Sequence, residues 1–495
     1  MTKVEISQKK ISSFLASDRK TIKGLEKENL RSDPEGKISN NPFPDAFGIH
    51  NFNSFVTLDY SEPHLEIVTP TFEDNQELFG FLKHLHGYVE SNLGEDLLWN
   101  YSMPPRFKRK YIKLPPHRDV NSTKLAHLYR LGLRNRYGDK MQSTAGIHFN
   151  ISFSESVINS LSEPKTDIYL GACRNFLRIF PLVLRLIGCS PVTHKSFVKD
   201  RNLNIDKLNP EDCYLPKSTS LRVSRLGYYS EEQDEDFITF NSLKEYLDTI
   251  KNYINTPNEK FSNISLDLKQ QVNNGTIQME SELYNHIRPK GVFSRTERQY
   301  NQLKKTGIEY LEIRSIDLNP YSEIGISIED VEFLELLSLF CSLSDSPKID
   351  ETEAMLIKEN IRRASEVGQD CTLLNSFDAE KGETNIKELT NALLGDLKSF
   401  AKKIELESQL DNMFIEYFSR NESPLSTRLL NDLASDEILS YVLSKSKKTK
   451  DKVPDSVLDI FKKESELSEK EYLKAKNRDN IDFQTFIKEF REEIK

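Results

Sequence analysis

The chain has 495 residues, of which 37% are hydrophobic and 29% are charged, a composition typical of a folded, soluble protein with a large core. Its formal net charge of −9 argues against a general nucleic-acid-binding protein, whose binding face would be basic. Five cysteines with no C-x-x-C pair predict neither a disulfide scaffold nor a zinc knuckle, so we expect a cytoplasmic protein.

The N-terminal half of the chain predicts strands placed between helices. Its start is polar, so no signal peptide is predicted, and no apolar run approaches the roughly 20 residues that span a membrane. Apolar spacing predicts helices within residues 8–25, 72–94, 123–137 and 155–195. Alternating apolar and polar residues predict strands near 24–28, 54–60, 65–69 and 145–153. A Ser-Glu-Pro turn between the second and third of these strands predicts a hairpin.

The C-terminal half predicts fewer strands and ends in helices. Strands are expected at 276–284 and 307–318, with a basic loop carrying Arg288 and Lys290 between them. From about residue 329 onward the pattern is helical, with polar loops between the helices. Because helices and strands do not alternate strictly, the order predicts an α+β fold with a largely antiparallel sheet, which can leave one face open.

Acids recur on one face of the predicted strands, where side chains alternate between two faces. In the strand 145–153, Ile147 and Phe149 share the apolar face, whereas His148 lies on the polar face. The polar positions of the other strands hold Glu26, Glu28, Asp59, Glu66, Glu312 and Arg314. For any one of these strands, the polar side chains are explained by the solvated face of an ordinary sheet. Acids are poor strand formers, however, and neighbouring acids on one face repel each other, so their recurrence indicates a bound cation.

The types of side chain on this face indicate which cation it would hold. Carboxylates with one imidazole and no cysteine favour Mg²⁺ or Mn²⁺ over zinc, and Mg²⁺ is commonly held together with substrate phosphates. The basic residues that could meet such phosphates are Arg130, Arg222, Arg288, Lys290 and Arg314. An ordinary salt bridge explains each of them taken alone. The glycine motifs of P-loop and Rossmann sites are absent, so the sequence predicts a magnesium–nucleotide site of another kind.

Several segments together resemble the proteobacterial type of glutamate–cysteine ligase, also called γ-glutamylcysteine synthetase. The matching segments keep the order of that family and lie at residues 24–31, 59–62, 65–70, 128–133, 135–138, 146–150, 219–222, 226–228, 282–284, 287–290 and 307–315. The chain departs from the family pattern at residues 115–122, which read Pro-Pro-His-Arg-Asp-Val-Asn-Ser and contain no implied metal ligand.

The resemblance implies a fold and a division of the chain. The fold would be α+β and glutamine-synthetase-like, with a curved, mainly antiparallel sheet that forms an active-site funnel surrounded by helices. Residues 8–375 would form the catalytic domain, and residues 376–495 a helical C-terminal extension packed on the same unit.

The resemblance also implies roles for individual residues. The Mg²⁺ ligands would be Glu26, Glu28, Asp59, Glu66, His148 and Glu312. Arg130 and Arg314 would meet the transferred phosphoryl group or the glutamate, while Arg288 and Lys290 stay the candidates from the basic loop for the phosphates of ATP. The cysteine pocket would be formed by Tyr60, Tyr129, Leu133, Tyr228 and Tyr284. Arg222 would bind the carboxylate of cysteine or a nearby phosphate.

The implied reaction joins L-glutamate to L-cysteine with ATP as co-substrate, the first step of glutathione biosynthesis, without an obligate protein partner. Two alternatives stay open at this stage. One is a ligase of the same fold that uses a different amine, and the other is an inactive regulatory paralogue. The presence of all six implied metal ligands argues against the second alternative, whereas the sequence does not exclude the first.

Overall fold

The computed structural model describes residues 4–494 except 235, 268, 295–296, 377–381, 435 and 447–452. Within these residues the helices are α1 (Gln8–Leu15), α2 (Asn75–Ser91), α3 (Asn121–Tyr137), α4 (Glu155–Ser160), α5 (Lys165–Ile187), α6 (Lys195–Val198), α7 (Glu231–Asp234), α8 (Leu243–Asn255), α9 (Glu259–Ser262), α10 (Gln299–Thr306), α11 (Ile328–Ser342), α12 (Glu351–Val367), α13 (Ile386–Lys403), α14 (Asp411–Glu422), α15 (Leu425–Asp432), α16 (Ile438–Lys445), α17 (Asp455–Arg478) and α18 (Phe483–Glu492).

The strands are short except for three long ones that form the centre of the main sheet. They are β1 (Thr21–Ser32), β2 (Val56–Leu58), β3 (His64–Val68), β4 (Leu97–Trp99), β5 (Gly146–Phe153), β6 (Val192–His194), β7 (Asp206–Lys207), β8 (Asp212–Tyr214), β9 (Ile287–Lys290), β10 (Tyr310–Asp317), β11 (Thr372–Leu374) and β12 (Glu383–Asn385).

The main sheet is antiparallel throughout. Its strands follow the order β2-β3-β1-β5-β10-β9, and β4 pairs with one end of β1. The hairpin predicted for β2 and β3 is present, with Thr57 opposite Glu66. The predicted α+β class and antiparallel sheet are therefore confirmed.

Apolar and polar side chains alternate along the central strands, so one face of the sheet is apolar. Leu25 of β1, Phe149 of β5 and Ile313 of β10 are fully buried in one large core, which α2, α5 and α11 cover. Burying a side chain of this size stabilises the fold by about 1.5–3 kcal/mol. Because the helices cover the apolar face, the polar side chains lie on the opposite face of the sheet.

The long helix α5 runs through the middle of the core, as its apolar sequence predicts. Its buried arginines are all paired: Arg178 binds the carboxylate of Glu353, and Arg185 donates to Asn421 and to backbone carbonyls. No helix of the described residues is long and apolar enough to cross a membrane. All five cysteines lie within the described residues and are unpaired.

The C-terminal helices pack on the same core at several places. Helix α13 contacts α5 and α11, α17 contacts α2, and α18 lies on α3. The division of the chain near residue 375 stays a prediction.

Two predictions of local structure were wrong. Residues 276–284 form no strand but contain a 3₁₀ turn at Glu280–Glu282, because the carboxylate of Glu282 accepts the backbone N–H of Gln278 and closes the turn. Residues Ile287–Lys290, predicted as a loop, form β9 at the edge of the sheet. An edge strand tolerates Pro289, which has no N–H to donate to a neighbouring strand.

Candidate active site

The sheet register brings acids of three strands together with His148 of a fourth on the open face. Glu28 of β1 pairs with Glu66 of β3, and Glu26 pairs with His148 of β5. Glu312 of β10 lies opposite Asn150 of β5. Alternation along each strand placed these residues on a polar face, and the strand order now makes them neighbours.

His148 is the centre of this cluster. Its Nδ1 lies 3.1 Å from Glu26 Oε2 and 3.8 Å from Glu312 Oε1, and its Nε2 lies 3.3 Å from Glu28 Oε1. One potential ligand atom each from Glu26, Glu66 and His148 falls within 4.8 Å of the others, a spacing that a single metal ion could occupy. Asp59 lies at the edge of the cluster, 3.5 Å from His64 and partly exposed.

Neighbouring groups hold two of the carboxylates in place. Asn150 Nδ2 donates to Glu26 Oε1 at 2.9 Å, and the backbone N–H of Gly146 donates to Glu28 Oε2 at 2.8 Å. Sequence reasoning assigned neither of these residues a role, although Asn150 shares the polar face of β5. Such bonds fix the direction in which a ligand oxygen points.

The surroundings of Glu66 disfavour its charged form. Burial raises the pKa of Glu66 well above its ordinary value, and the neighbouring Glu26, Asp59 and Glu28 raise it further. The charged form of Glu66 therefore needs a further positive charge nearby.

One buried oxygen on this face, Asn150 Oδ1, has no hydrogen-bond donor within the described residues. The register pairs Asn150 with Glu312, whose Oε2 makes no hydrogen bond but lies 3.1 Å from Arg314 Nη1 as an ion pair. A buried acceptor without a donor is costly, whereas a hard cation would satisfy it. The donor set, this unpaired oxygen and the spacing around His148 all fit a divalent cation.

Three cations surround Glu312. Its carboxylate lies 3.1 Å from Arg314, 3.7 Å from Lys290 and 3.8 Å from Arg288. Although burial alone would raise the pKa of Glu312, Arg314, Lys290 and Arg288 hold it well below its ordinary value. Arg130 instead donates to the backbone carbonyls of Leu58 and Asp59, at 2.6 and 2.7 Å.

Arg222 lies across the start of β5, and a glycine makes this possible. A Cβ at Gly146 would come within 2.2 Å of the Arg222 guanidinium. Arg222 Nη2 donates to the Arg314 carbonyl at 3.2 Å, but its buried Nε has no partner within the described residues. A buried guanidinium N–H that is not used in this way can donate to an anion such as a carboxylate.

Two of the implied pocket tyrosines meet beside Arg222. The rings of Tyr228 and Tyr284 are 4.4 Å apart in an edge-to-face arrangement, and Gln142 donates to the Tyr284 hydroxyl at 3.0 Å. Arg222 and Arg314 line the same small gap of about 30 Å³ as this tyrosine pair. A larger cavity of about 930 Å³ lies beyond the pair, against α12.

The other residues implied for the cysteine pocket lie in α3 or pack against it. Tyr129 is on the wall of a second cavity of about 710 Å³, together with Arg130 and Asp59. Tyr60 and Leu133 are buried in an apolar cluster, where the Tyr60 hydroxyl donates to Asp139 at 2.7 Å.

Comparison with known proteins gives a consistent result along the chain. The family model described as glutamate-cysteine ligase matches residues 5–364. The glutamate–cysteine ligase of Wigglesworthia glossinidia brevipalpis is 32% identical over 474 residues, which cover 92% of this chain and 94% of that protein. The glutamate–cysteine ligase of Serratia proteamaculans is 30% identical over 493 residues, which cover 94% of this chain and 95% of that protein.

A solved structure is also similar, namely the glutamate–cysteine ligase of Francisella tularensis in complex with AMP. It has a TM-score of 0.89 at 24% sequence identity and covers 96% of this chain and 98% of that one. A bifunctional glutathione synthetase from Pasteurella multocida matches with a TM-score of 0.70 over 92% of this chain and 54% of that one. At these identities both structures show the fold alone.

The match to the family model and to the relatives makes the chain an ATP-dependent ligase. Within that class, the chain belongs to the glutamate–cysteine ligase family. The family predicted from the sequence is confirmed.

Proposed function

We propose that this protein joins the γ-carboxylate of L-glutamate to the amine of L-cysteine and releases ADP and phosphate. The observation that carries the proposal is the buried cluster of Glu26, Glu28, Glu66, His148 and Glu312 with Arg314 beside it. The names of the relatives support the choice of the two amino acids.

The proposed chemistry has two steps. A carboxylate is a poor acyl donor, so a γ-carboxylate oxygen of glutamate attacks the terminal phosphorus of ATP and displaces ADP. The amine of cysteine then attacks the acyl carbon of the γ-glutamyl phosphate, an amide bond forms, and phosphate leaves as the amine loses a proton. Such an intermediate hydrolyses readily, so the site must exclude water.

We propose that the residues of the sheet face hold Mg²⁺, with Mn²⁺ as a substitute. The six ligands would be Glu26, Glu28, Asp59, Glu66, His148 and Glu312. When bound, the metal supplies positive charge to the phosphate oxygens. Hard carboxylate oxygens and one imidazole suit these two cations.

The arginines and the lysine of the site would bind the phosphates and the glutamate. Arg314, Arg288 and Lys290 all lie within 3.8 Å of Glu312 and so face the same point of the sheet. They would stabilise the negative charge of the phosphoryl group as it moves between oxygens. Arg130 would contribute from α3 on the side of Asp59.

The acceptor amino acid would lie beside the tyrosine pair. The unused Nε of Arg222 would take its carboxylate, and Tyr228 and Tyr284 would pack around its side chain, with Tyr129, Tyr60 and Leu133 on the side of α3. Aromatic rings pack well against a thiol, which is weakly polar. We also place the protein in a reducing cytoplasm, since none of its five cysteines is paired.

Phosphate release tests the proposed function. The purified protein is given Mg²⁺, ATP, glutamate and cysteine, and each component is then omitted in turn. We expect release only when all four are present. Release that is indifferent to cysteine would point to another amine, and no release at all would contradict enzymatic activity.

A further inference from the structure

A cavity of about 930 Å³ lies behind the proposed acceptor pocket, and the proposed function gives it no occupant. It meets the small gap beside Arg222 at a shared wall, which is formed by Tyr228, Tyr284, Asn285 and His286. The acceptor pocket therefore has free space beyond the position proposed for the carboxylate of cysteine. A volume of this size is in the range of cavities that bind small molecules.

Two buried nitrogens at the gap have no hydrogen-bond partner among the described residues. One is Nε of Arg222, for which the carboxylate of cysteine is the proposed partner, and the other is Nδ2 of Asn285. His286 of the same wall is already paired, since its Nδ1 lies 2.8 Å from Ser315 Oγ. Asn285 also lines the larger cavity, whereas Arg222 does not. Because an unpaired buried N–H is costly, Asn285 indicates a ligand with an acceptor oxygen beyond the carboxylate of cysteine.

The wall of the larger cavity suits a short peptide unit. Its cations are already neutralised by acids, in the pairs Arg225–Glu366, Lys358–Asp234 and Arg362–Glu359. Two further acids, Asp236 and Glu351, lie on the same wall, so the cavity disfavours a highly charged ligand such as a phosphate. Its floor is apolar and includes the buried side chains of Leu177, Phe240 and Ile361. A peptide unit brings at most one negative charge, its terminal carboxylate.

The tyrosine pair must part for such an extension to pass. The gap of about 30 Å³ holds about one or two water molecules, and Tyr228 and Tyr284 close it with their rings 4.4 Å apart. Gln142 holds the hydroxyl of Tyr284, whereas the hydroxyl of Tyr228 makes no hydrogen bond within the described residues. Tyr228 can therefore turn without losing a hydrogen bond, and we expect this side chain to be the one that moves.

We propose that the acceptor site also takes cysteine extended at its carboxyl end, as in cysteinylglycine and other cysteinyl peptides. This inference rests on the proposed function and widens its class of acceptors. The peptide carbonyl would replace the carboxylate at Nε of Arg222, and the terminal carboxylate would accept from Nδ2 of Asn285 where the gap meets the cavity. The amine of the cysteine residue attacks the γ-glutamyl phosphate as cysteine itself does. A C–N bond forms, the acyl C–O bond to phosphate breaks and the amine loses a proton, which gives a γ-glutamyl peptide and phosphate.

Acceptor use by the unsubstituted protein tests the inference. Cysteine, cysteinylglycine and glycylcysteine are each supplied with glutamate, ATP and Mg²⁺, and the γ-glutamyl products are identified by mass spectrometry. We expect kcat/KM for cysteinylglycine to be about a tenth of that for cysteine, since Arg222 then donates to a neutral carbonyl in place of a carboxylate. Glycylcysteine is the matched control, because its free amine belongs to glycine, and we expect no product from it.

Asn285→Leu tests where the extension lies. The substitution removes the unpaired donor without adding charge, so the ratio of kcat/KM for cysteinylglycine to that for cysteine should fall about tenfold. Asn431→Leu, at an exposed position of α15 off the cavity wall, is the control and should leave this ratio unchanged.

The outcomes separate this inference from the proposed function. If cysteine is ligated but cysteinylglycine is used no better than glycylcysteine, the inference is overturned and the proposed function stands. A ratio that is unchanged in Asn285→Leu would also overturn it, because the extension would then not lie at this wall. If not even cysteine were ligated, the proposed function would fall, and the inference with it.

Discussion

At the scale of single residues, the site depends on charges that are buried and balanced. Glu312 is 2% exposed and lies within 3.8 Å of three cations and of His148. Its Oε2 lies 3.1 Å from Arg314 Nη1 as an ion pair but makes no hydrogen bond within the described part of the chain. The residue is therefore placed to bind a cation that counters the remaining charge of the cluster.

Replacing Glu312 by Gln should abolish ligation while the protein stays folded. The amide keeps the shape but removes the charge that the metal and Arg314 need, and we expect activity to fall at least about a thousandfold. Phosphate release measures the loss, and circular dichroism checks the fold. Glu95→Gln, at an exposed position, should behave as the unsubstituted protein. Turnover near the normal rate at saturating Mg²⁺ would refute the role of Glu312.

Gly146→Ala tests the position of Arg222. The added Cβ would meet the guanidinium at 2.2 Å, so Arg222 must move away from the acceptor pocket. We expect the KM for cysteine to rise about tenfold, the effect of losing one charged hydrogen bond, while the KM for ATP stays the same. Gly80→Ala is the control, because nothing lies within 4 Å of its Cβ position. An unchanged KM for cysteine would show that Arg222 does not bind this substrate.

At the scale of elements, a buried ion pair joins α3 to the segment that carries Tyr284. Arg136 at the end of α3 lies 2.9 Å from Glu282, and both side chains are completely buried. The hydroxyl of Tyr137 donates to the same carboxylate at 2.8 Å. The pair therefore fixes the distance between the two walls of the proposed acceptor pocket.

Glu282→Gln should lower the free energy of unfolding by about 3 kcal/mol, because it leaves the Arg136 charge buried without a carboxylate. Urea denaturation measures this change. Asp248→Asn removes an exposed pair with Lys244 and should cost less than about 1 kcal/mol. Equal, small effects for both variants would contradict a structural role of the buried pair.

The sequence predicts some of these elements and misses others for physical reasons. The alternation of apolar and polar residues was enough to identify the polar faces of β1, β5 and β10. A core on one side of the sheet imposes this alternation on every strand. The alternation could not show that β1 pairs with β5, about 120 residues away, since pairing depends on the whole sheet. The turn at Glu282 was missed because a side chain closes it, and the stretch has the apolar content of a strand.

At the scale of the whole molecule, residues far apart in the chain meet at one cavity. Asp59 near the N-terminus, Arg288 in the sheet and Phe490 near the C-terminus share its wall. The family resemblance supplied the role proposed for Asp59, and the basic residues of the sequence supplied that proposed for Arg288. The resemblance said nothing of Phe490, whose place depends on how α18 packs against α3.

Binding of Mg²⁺ should stabilise the whole protein, because it neutralises carboxylates that folding forces together. We expect the melting temperature to rise by several degrees with Mg²⁺ and the rise to shrink in Glu66→Gln. An equal ionic strength of NaCl is the control and should have little effect. A melting temperature that does not respond to Mg²⁺ would contradict a metal site on this sheet face.

The proposed reaction requires that the site activate the γ-carboxylate of glutamate by phosphorylating it. Glutamate labelled with a heavy oxygen isotope in its γ-carboxylate tests this directly, with the released phosphate analysed by mass spectrometry. If γ-glutamyl phosphate forms, one labelled oxygen passes from each glutamate to the phosphate. Phosphate that carries no label, released while the amide product forms, would show that γ-glutamyl phosphate is not an intermediate.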